Sequence, residues 1–140
     1  MTSDQYAPYV VPPITAEQLD VILAFLPVFA DPAFTAGEWV EKDDHLPWVD
    51  YHPAINQFWG ALYANGNDLR GFHYFDDPDV LRLNASKDAI DTAELDALRK
   101  FLYYLSRGER FCDGFDKTLF ECGEIVRILR RMAEIRRTLR

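Results

Sequence analysis

The run Glu124–Arg140 constrains this chain more than any other stretch. Ile125, Ile128, Leu129, Met132, Ile135 and Leu139 recur at helical spacing, with Arg127, Arg130, Arg131 and Arg137 on the other side. A helix of that length gains most of its stability from burying its apolar stripe rather than from its own propensity. The fold must therefore cover the stripe. Two covers are open from sequence alone: the body of the same chain, or a second copy, which would make a homodimer through the C-terminal helix.

The remaining apolar residues supply further helices to do the covering. Thr15 and Gln18 have capping-box spacing, and Leu19, Ile22, Leu23 and Leu26 follow as one face, with Pro27 and then Pro32 expected to end that helix. A second helix opens at Pro53, carries Ile55, Phe58, Trp59, Leu62 and Tyr63, and closes at Asn65-Gly66. Leu69 to Phe75 reads as extended. Asp77-Pro78 reads as an N-cap followed by a first-turn proline, opening a short helix to about Asn84. Asp91 or Thr92 is the expected cap of a helix bearing Leu95, Leu98, Phe101, Leu102 and Leu105, with Gly108 as its C-cap. Asp113 is the expected cap of a short helix carrying Phe115, Leu119 and Phe120, stopped by Gly123.

Between Ala36 and His52 the helical period is lost. Glu38-Trp39-Val40-Glu41 and Trp48-Val49-Asp50-Tyr51 alternate instead, which suggests one short β-hairpin. The expected fold is mainly α: a compact single domain of five to six helices over residues 15–140, with one short hairpin at most. Residues 1–14, bracketed by Pro8, Pro12 and Pro13, form an extended N-terminal arm that Tyr6, Tyr9 and Val10 would dock onto the core.

Charge excludes several classes. The formal net charge is −8. The final helix is basic, with six arginines against two glutamates (+4), so residues 1–123 carry −12. An acidic body is unlike a nucleic-acid footprint. The simplest account of the arginines is that they are matched by the acidic body beneath them. The longest apolar run, Val21 to Ala30, is broken by Pro27 and is half of the ~20 residues a membrane span needs. No basic n-region precedes an apolar stretch, and Cys112 and Cys122 alone make no disulfide framework, so a cytoplasmic location is expected.

Signatures of catalysis are missing. The chain has no G-x-G-x-x-G, no G-x-x-x-x-G-K-[ST], no G-x-S-x-G and no H-E-x-x-H. His45, His52 and His73 lie near aspartates but at no ligand-fixing helical spacing, so neither a metal nor another cofactor is expected. Cys112, after Phe111 in what reads as a packed turn, is taken as a buried structural thiol, and Cys122 likewise.

The densest functional stretch is Arg107-Gly108-Glu109-Arg110-Phe111-Cys112-Asp113-Gly114. Arg107 and Arg110 would offer two guanidinium forks to a phosphate or carboxylate, with Glu109 or Asp113 as the available base. The same residues also suit a purely structural role, as caps between two helices. Trp39, Trp48, Tyr51, Phe72 and Tyr74, on or near irregular segments, could form an aromatic groove or core, with Trp39, Trp48 and Tyr51 the candidates for a groove and Trp59, on a helix face, a core residue.

Leu98-Arg99-Lys100-Phe101-Leu102, the Arg107–Gly114 segment with its R-x-x-R-F-x-x-G spacing, Gly123, and Ile128-Leu129-Arg130-Arg131-Met132 together resemble a family of small bacterial domains of unknown function. Gly37-Glu38-Trp39-Val40 and Ala61-Leu62-Tyr63-Ala64-Asn65-Gly66 are also similar to it, so the likeness runs from about Leu19 to Leu139. The resemblance implies no established activity. It adds one expected ligand class, phosphorylated or nucleotide-like small molecules of the ADP-ribose type. The leading expectation is a non-catalytic binding or protein-interaction module. The alternatives are an enzyme or sensor for such a phosphorylated ligand, and an acidic mimic of nucleic acid.

Overall fold

The computed structural model describes residues 9–139. Their order is α1 (Ala16–Leu23), α2 (Leu26–Ala30), β1 (Gly37–Val40), β2 (Trp48–Tyr51), α3 (Pro53–Ala64), α4 (Pro78–Ala85), α5 (Leu95–Ser106), α6 (Phe115–Glu121) and α7 (Glu124–Thr138). Single 3-10 turns lie at Tyr74–Asp76, Lys87–Thr92 and Gly108–Arg110. The chain is thus α-dominant with one antiparallel hairpin, as its sequence suggests.

α7 is the hub. Ile125, Ile128, Leu129 and Met132 are buried, and α1, α2, α5, α6 and the 87–92 turn pack around them. As far as Met132 the apolar stripe is therefore spent on the chain's own core, with Ile135 partly buried and Leu139 exposed beyond it. Its arginines grip the surrounding elements. Arg127 binds Asp91 (2.6 Å) and Asp88 (3.0 Å), Arg131 Nε donates to the Ala93 carbonyl (2.9 Å), and Arg136 pairs with Asp20 (2.8 Å). These pairings hold the Asp20 and Asp91 carboxyls below their usual range, chiefly through the guanidinium hydrogen bonds.

An aromatic cluster fills the other side. Phe29 meets Phe120 edge-on at 4.9 Å between ring centroids and Phe58 at 5.3 Å, and Trp59 meets Phe120 at 5.5 Å. Such tilted contacts suit the ring quadrupoles and lock the relative rotation of α2, α3 and α6.

Several local expectations are corrected. The first apolar run makes two helices, because Pro27 sits in the first turn of α2, where a missing N–H costs nothing, rather than ending α1. That split gives seven helices among the described residues. The segment 69–75 is turns, not a strand. Glu94, not Asp91 or Thr92, precedes α5, because Asp91 is drawn to Arg127. The capping box of Thr15 and Gln18 and the Asp77 cap of α4 both form. Of the N-terminal arm, Tyr9 packs on Phe72 at 5.1 Å, while Tyr6 lies outside the described residues.

No long basic or acidic residue apart from Arg99 is fully buried among the described residues. This side chain, on α5 and 1% exposed, donates to the carbonyls of Pro12 and Gly66, to Asn67 Oδ1 (3.3 Å) and to Asp96 Oδ1 (3.3 Å). Asn67 returns a bond from Nδ2 to the Arg99 carbonyl (3.2 Å). The guanidinium thus ties two sequence-distant stretches, at Pro12 and at Gly66–Asn67, to one helix. Burial lowers its pKa, opposed by Asp96.

Candidate functional site

β1 and β2 pair with Gly37 opposite Tyr51, Glu38 opposite Asp50, Trp39 opposite Val49 and Val40 opposite Trp48. Side chains alternate along a strand, and directly paired residues share a face. One face therefore carries Trp39, Val49 and Tyr51, and the other Glu38, Val40, Trp48 and Asp50. The three aromatic candidates are split between the two faces.

The first face docks onto the turn between α5 and α6. Glu109 organises the joint. Its Oε1 accepts from the Tyr51 hydroxyl (2.8 Å) and from the Asp116 amide (2.8 Å), and its Oε2 accepts from the Gly114 amide (3.0 Å). Glu109 is thus the N-terminal cap of α6, the role expected of Asp113. Asp113 is exposed and makes no such bond, because Gly114, at φ 85°, is the residue that turns the chain into the helix. The Tyr51 oxygen in turn accepts from the Lys117 amide (3.3 Å). Burial first and the bond to Glu109 second push the Tyr51 phenol well above its ordinary range.

Two glycines make the joint close-packed. A Cβ on Gly114 would lie 2.6 Å from Cζ2 of Trp39, so the indole rests directly on the turn. A Cβ on Gly108 would lie 1.9 Å from Cε1 of Phe115, so Gly108 is there for the ring of Phe115 and not as the C-cap of α5, a position taken by Arg107.

Beneath the joint lies Asp116, a residue that motif reading passed over because an aspartate in the first turn of a helix is ordinary. It is 5% exposed. Oδ2 accepts from Trp59 Nε1 (3.1 Å), and Oδ1 is buried with no hydrogen-bond partner among the described residues. Burial, then the Glu109 charge, raise its pKa from 3.8 to about 6, against the Trp59 bond. Because the folded pKa is raised, the protonated form contributes full stability below about pH 4, and that contribution is lost as pH climbs through about 6. After allowance for solvent screening the swing is about 2 kcal/mol. Asp116→Asn is expected to flatten stability between pH 4 and pH 7 and to be the more stable protein at neutral pH. Denaturant melts across that range check this, and a variant that follows the wild-type profile would contradict the assignment.

The other sequence candidates fall elsewhere. Arg107 is half-buried in a depression lined by Tyr63, Asp68, Arg70 and Tyr103, and Arg110 is exposed on the Gly108–Arg110 turn. Neither makes an ion pair with a described residue. Glu109, offered as a base, has both oxygens occupied by three donors. Cys112 and Cys122 are exposed free thiols, which corrects the expectation of buried ones. Phe72 and Trp59 are buried and Tyr74 half-buried. Among the described residues no group of three or more His, Cys, Asp and Glu side chains is placed to hold a metal ion, and no helix is long and apolar enough to cross a membrane.

These features define a class: a helical domain built round a basic C-terminal helix, with a small hairpin pinned to its body by a glutamate-capped glycine turn. The chain belongs to the Family of unknown function (DUF6508), which matches residues 14–138. No curated protein and no solved structure matches it.

Proposed function

We propose that this domain is a non-catalytic binding module that acts in the cytoplasm and meets a protein partner through its hairpin. In this reading residues 15–139 work as one unit, with residues 9–14 running along it. The observation that carries the proposal is that the hairpin holds Trp39 and Trp48 48% and 41% exposed, and Leu46 at its tip 87% exposed. Two short strands do not need solvent-exposed tryptophans for their own stability, and tryptophan is the residue most enriched among interface hot spots. The occupied oxygens of Glu109 favour the same reading over general-base chemistry.

Trp48 is the informative position, because it faces away from the joint. Trp48→Ala is expected to change the unfolding free energy by less than about 1 kcal/mol, yet to weaken partner binding by about 2 kcal/mol or more. The check is affinity capture from native-host lysate with wild-type and variant protein side by side, followed by titration of whatever the variant loses. If both capture the same set, the hairpin is not the binding face. One observation favours a second reading: Arg107 makes no ion pair with a described residue and shares a depression with Tyr63, Tyr103 and the Arg70–Asp68 pair. A thermal shift with a phosphorylated metabolite that Arg107→Ala abolishes would favour a small-molecule sensor.

A further inference from the structure

We propose that the partner of the hairpin's outer face is a cationic, arginine- or lysine-rich segment of another protein; this rests on the reading of the hairpin as the binding face. The outer face is a tryptophan between carboxylates. Glu38 stands directly opposite Asp50 in the register, two pairs along from Val40 and Trp48 and next to them on the same face. Like charges directly opposed across two strands are unfavourable, and their side chains start only about 5 Å apart. A guanidinium lying between them would relieve the repulsion and lie next to the indole.

The connecting loop continues the pattern. Glu41, Asp43 and Asp44 are exposed, so the hairpin shows five exposed carboxylates against the single cation Lys42. None of the five is in an ion pair with a described residue. The helical body is different. There Asp20, Asp77, Asp79, Asp88, Asp91, Glu121, Glu124 and Glu134 are engaged by lysines or arginines, and the exposed carboxylates outside an ion pair, Glu17, Asp31, Asp76, Glu94 and Asp113, are scattered along the chain. On the hairpin five such carboxylates fall between residues 38 and 50, on the one element that also exposes tryptophan and leucine.

Trp48 already takes a cation. The Lys42 ammonium lies 5.9 Å from its ring centroid, the distance at which a positive charge is drawn to an indole face. An incoming lysine or arginine would use the same attraction, with Leu46 covered by the aliphatic stems of neighbouring basic side chains. The same field repels phosphates, which sets nucleic acid and anionic membranes aside as occupants of this face.

The test uses the full chain and a fluorescein-labelled alternating arginine–lysine peptide, with binding followed by the anisotropy of the label and a glutamate-rich peptide as control. Wild-type protein is expected to bind the basic peptide at about 50 mM salt and to lose most of that binding at about 300 mM. Trp48→Ala and the double variant Glu38→Gln/Asp50→Asn are each expected to weaken it at least about tenfold. Glu17→Gln/Glu94→Gln, the same charge change at exposed sites on the helical body, is expected to leave it unchanged. The Glu38→Gln/Asp50→Asn protein is also expected to melt no lower than wild type, since it loses a repulsion, so misfolding does not explain the lost binding. Equal weakening by both double variants would overturn the proposal, because attraction to net charge alone would then suffice, as would failure of wild type to bind. The native partner separates the two layers. A partner lost with Trp48→Ala but kept by Glu38→Gln/Asp50→Asn overturns the cationic class and leaves the binding face standing. A partner kept by both overturns the binding face itself.

Discussion

Replacing Arg99 with methionine is expected to lower the unfolding free energy by about 3–5 kcal/mol, the cost typical of breaking a buried charged network from one side. Methionine keeps most of the stem volume and removes the donors. The partly buried Pro12 and Gly66 carbonyls and the buried Asn67 Oδ1 then lose their partner together, and a buried acceptor left unpaired costs about 1–3 kcal/mol. For a domain of this size the melting temperature would fall by roughly 10–15 °C. Urea denaturation of wild type and Arg99→Met measures the loss. Arg99→Lys should recover little of it, because one ammonium cannot reach acceptors arranged for a planar fork. A methionine variant within about 1 kcal/mol of wild type would mean that the network contributes little to stability.

Glu109→Ala is expected to release the hairpin while leaving the helical core folded. It removes the acceptor of the Tyr51 hydroxyl and of the Gly114 and Asp116 amides in one step. Hydrogen bonds to a charged group are worth about 1.5–3 kcal/mol each in net stability, and the alanine also uncaps α6, so a total loss of roughly 3 kcal/mol is a conservative expectation. A two-stranded hairpin is marginal alone. Amide hydrogen exchange should therefore quicken selectively at residues 37–40 and 48–51, and the Trp39 emission should shift to the red as its indole leaves the Gly114 turn. Tyr51→Phe removes one of the three donors and should show a smaller loss, with the two changes non-additive in a double-mutant cycle. Unchanged protection of the hairpin in Glu109→Ala would refute its role as the pin.

Glu109 also bears on function. Sequence reading offers it as a base or ligand contact because it stands in a charged turn between two arginines. The fold spends it on backbone amides instead. Asp116, one turn below, is the carboxyl that burial raises, and its Oδ1, without a hydrogen-bond partner among the described residues, marks the joint as a place where stability is given up.

What was legible in the chain was everything governed by local period and capping. The 3.6-residue stripes of α3, α5 and α7, the Thr15 box, the Asp77 cap and the alternating residues of the hairpin were each readable, because a few neighbours in sequence decide them. The same reading placed Trp39, Tyr51 and Glu109 among the candidate residues without indicating that they touch. Residues 51 and 109 meet only once α3, α5 and α6 have packed, and a hydrogen bond across that separation leaves no local pattern. Arg99 looked like one more helical charge, since burial of its guanidinium depends on carbonyls of Pro12 and Gly66 contributed by other segments. Gly108 looked like helix punctuation and Gly114 like the end of a charged turn, whereas the rings of Phe115 and Trp39 decide why no side chain fits there. By itself, then, the sequence determined an α-dominant chain ending in a basic amphipathic helix whose apolar stripe needed a cover. The tertiary structure alone decided which carboxylate is a cap, which is buried and which face solvent, because burial and pairing are properties of what is brought together, not of what is adjacent.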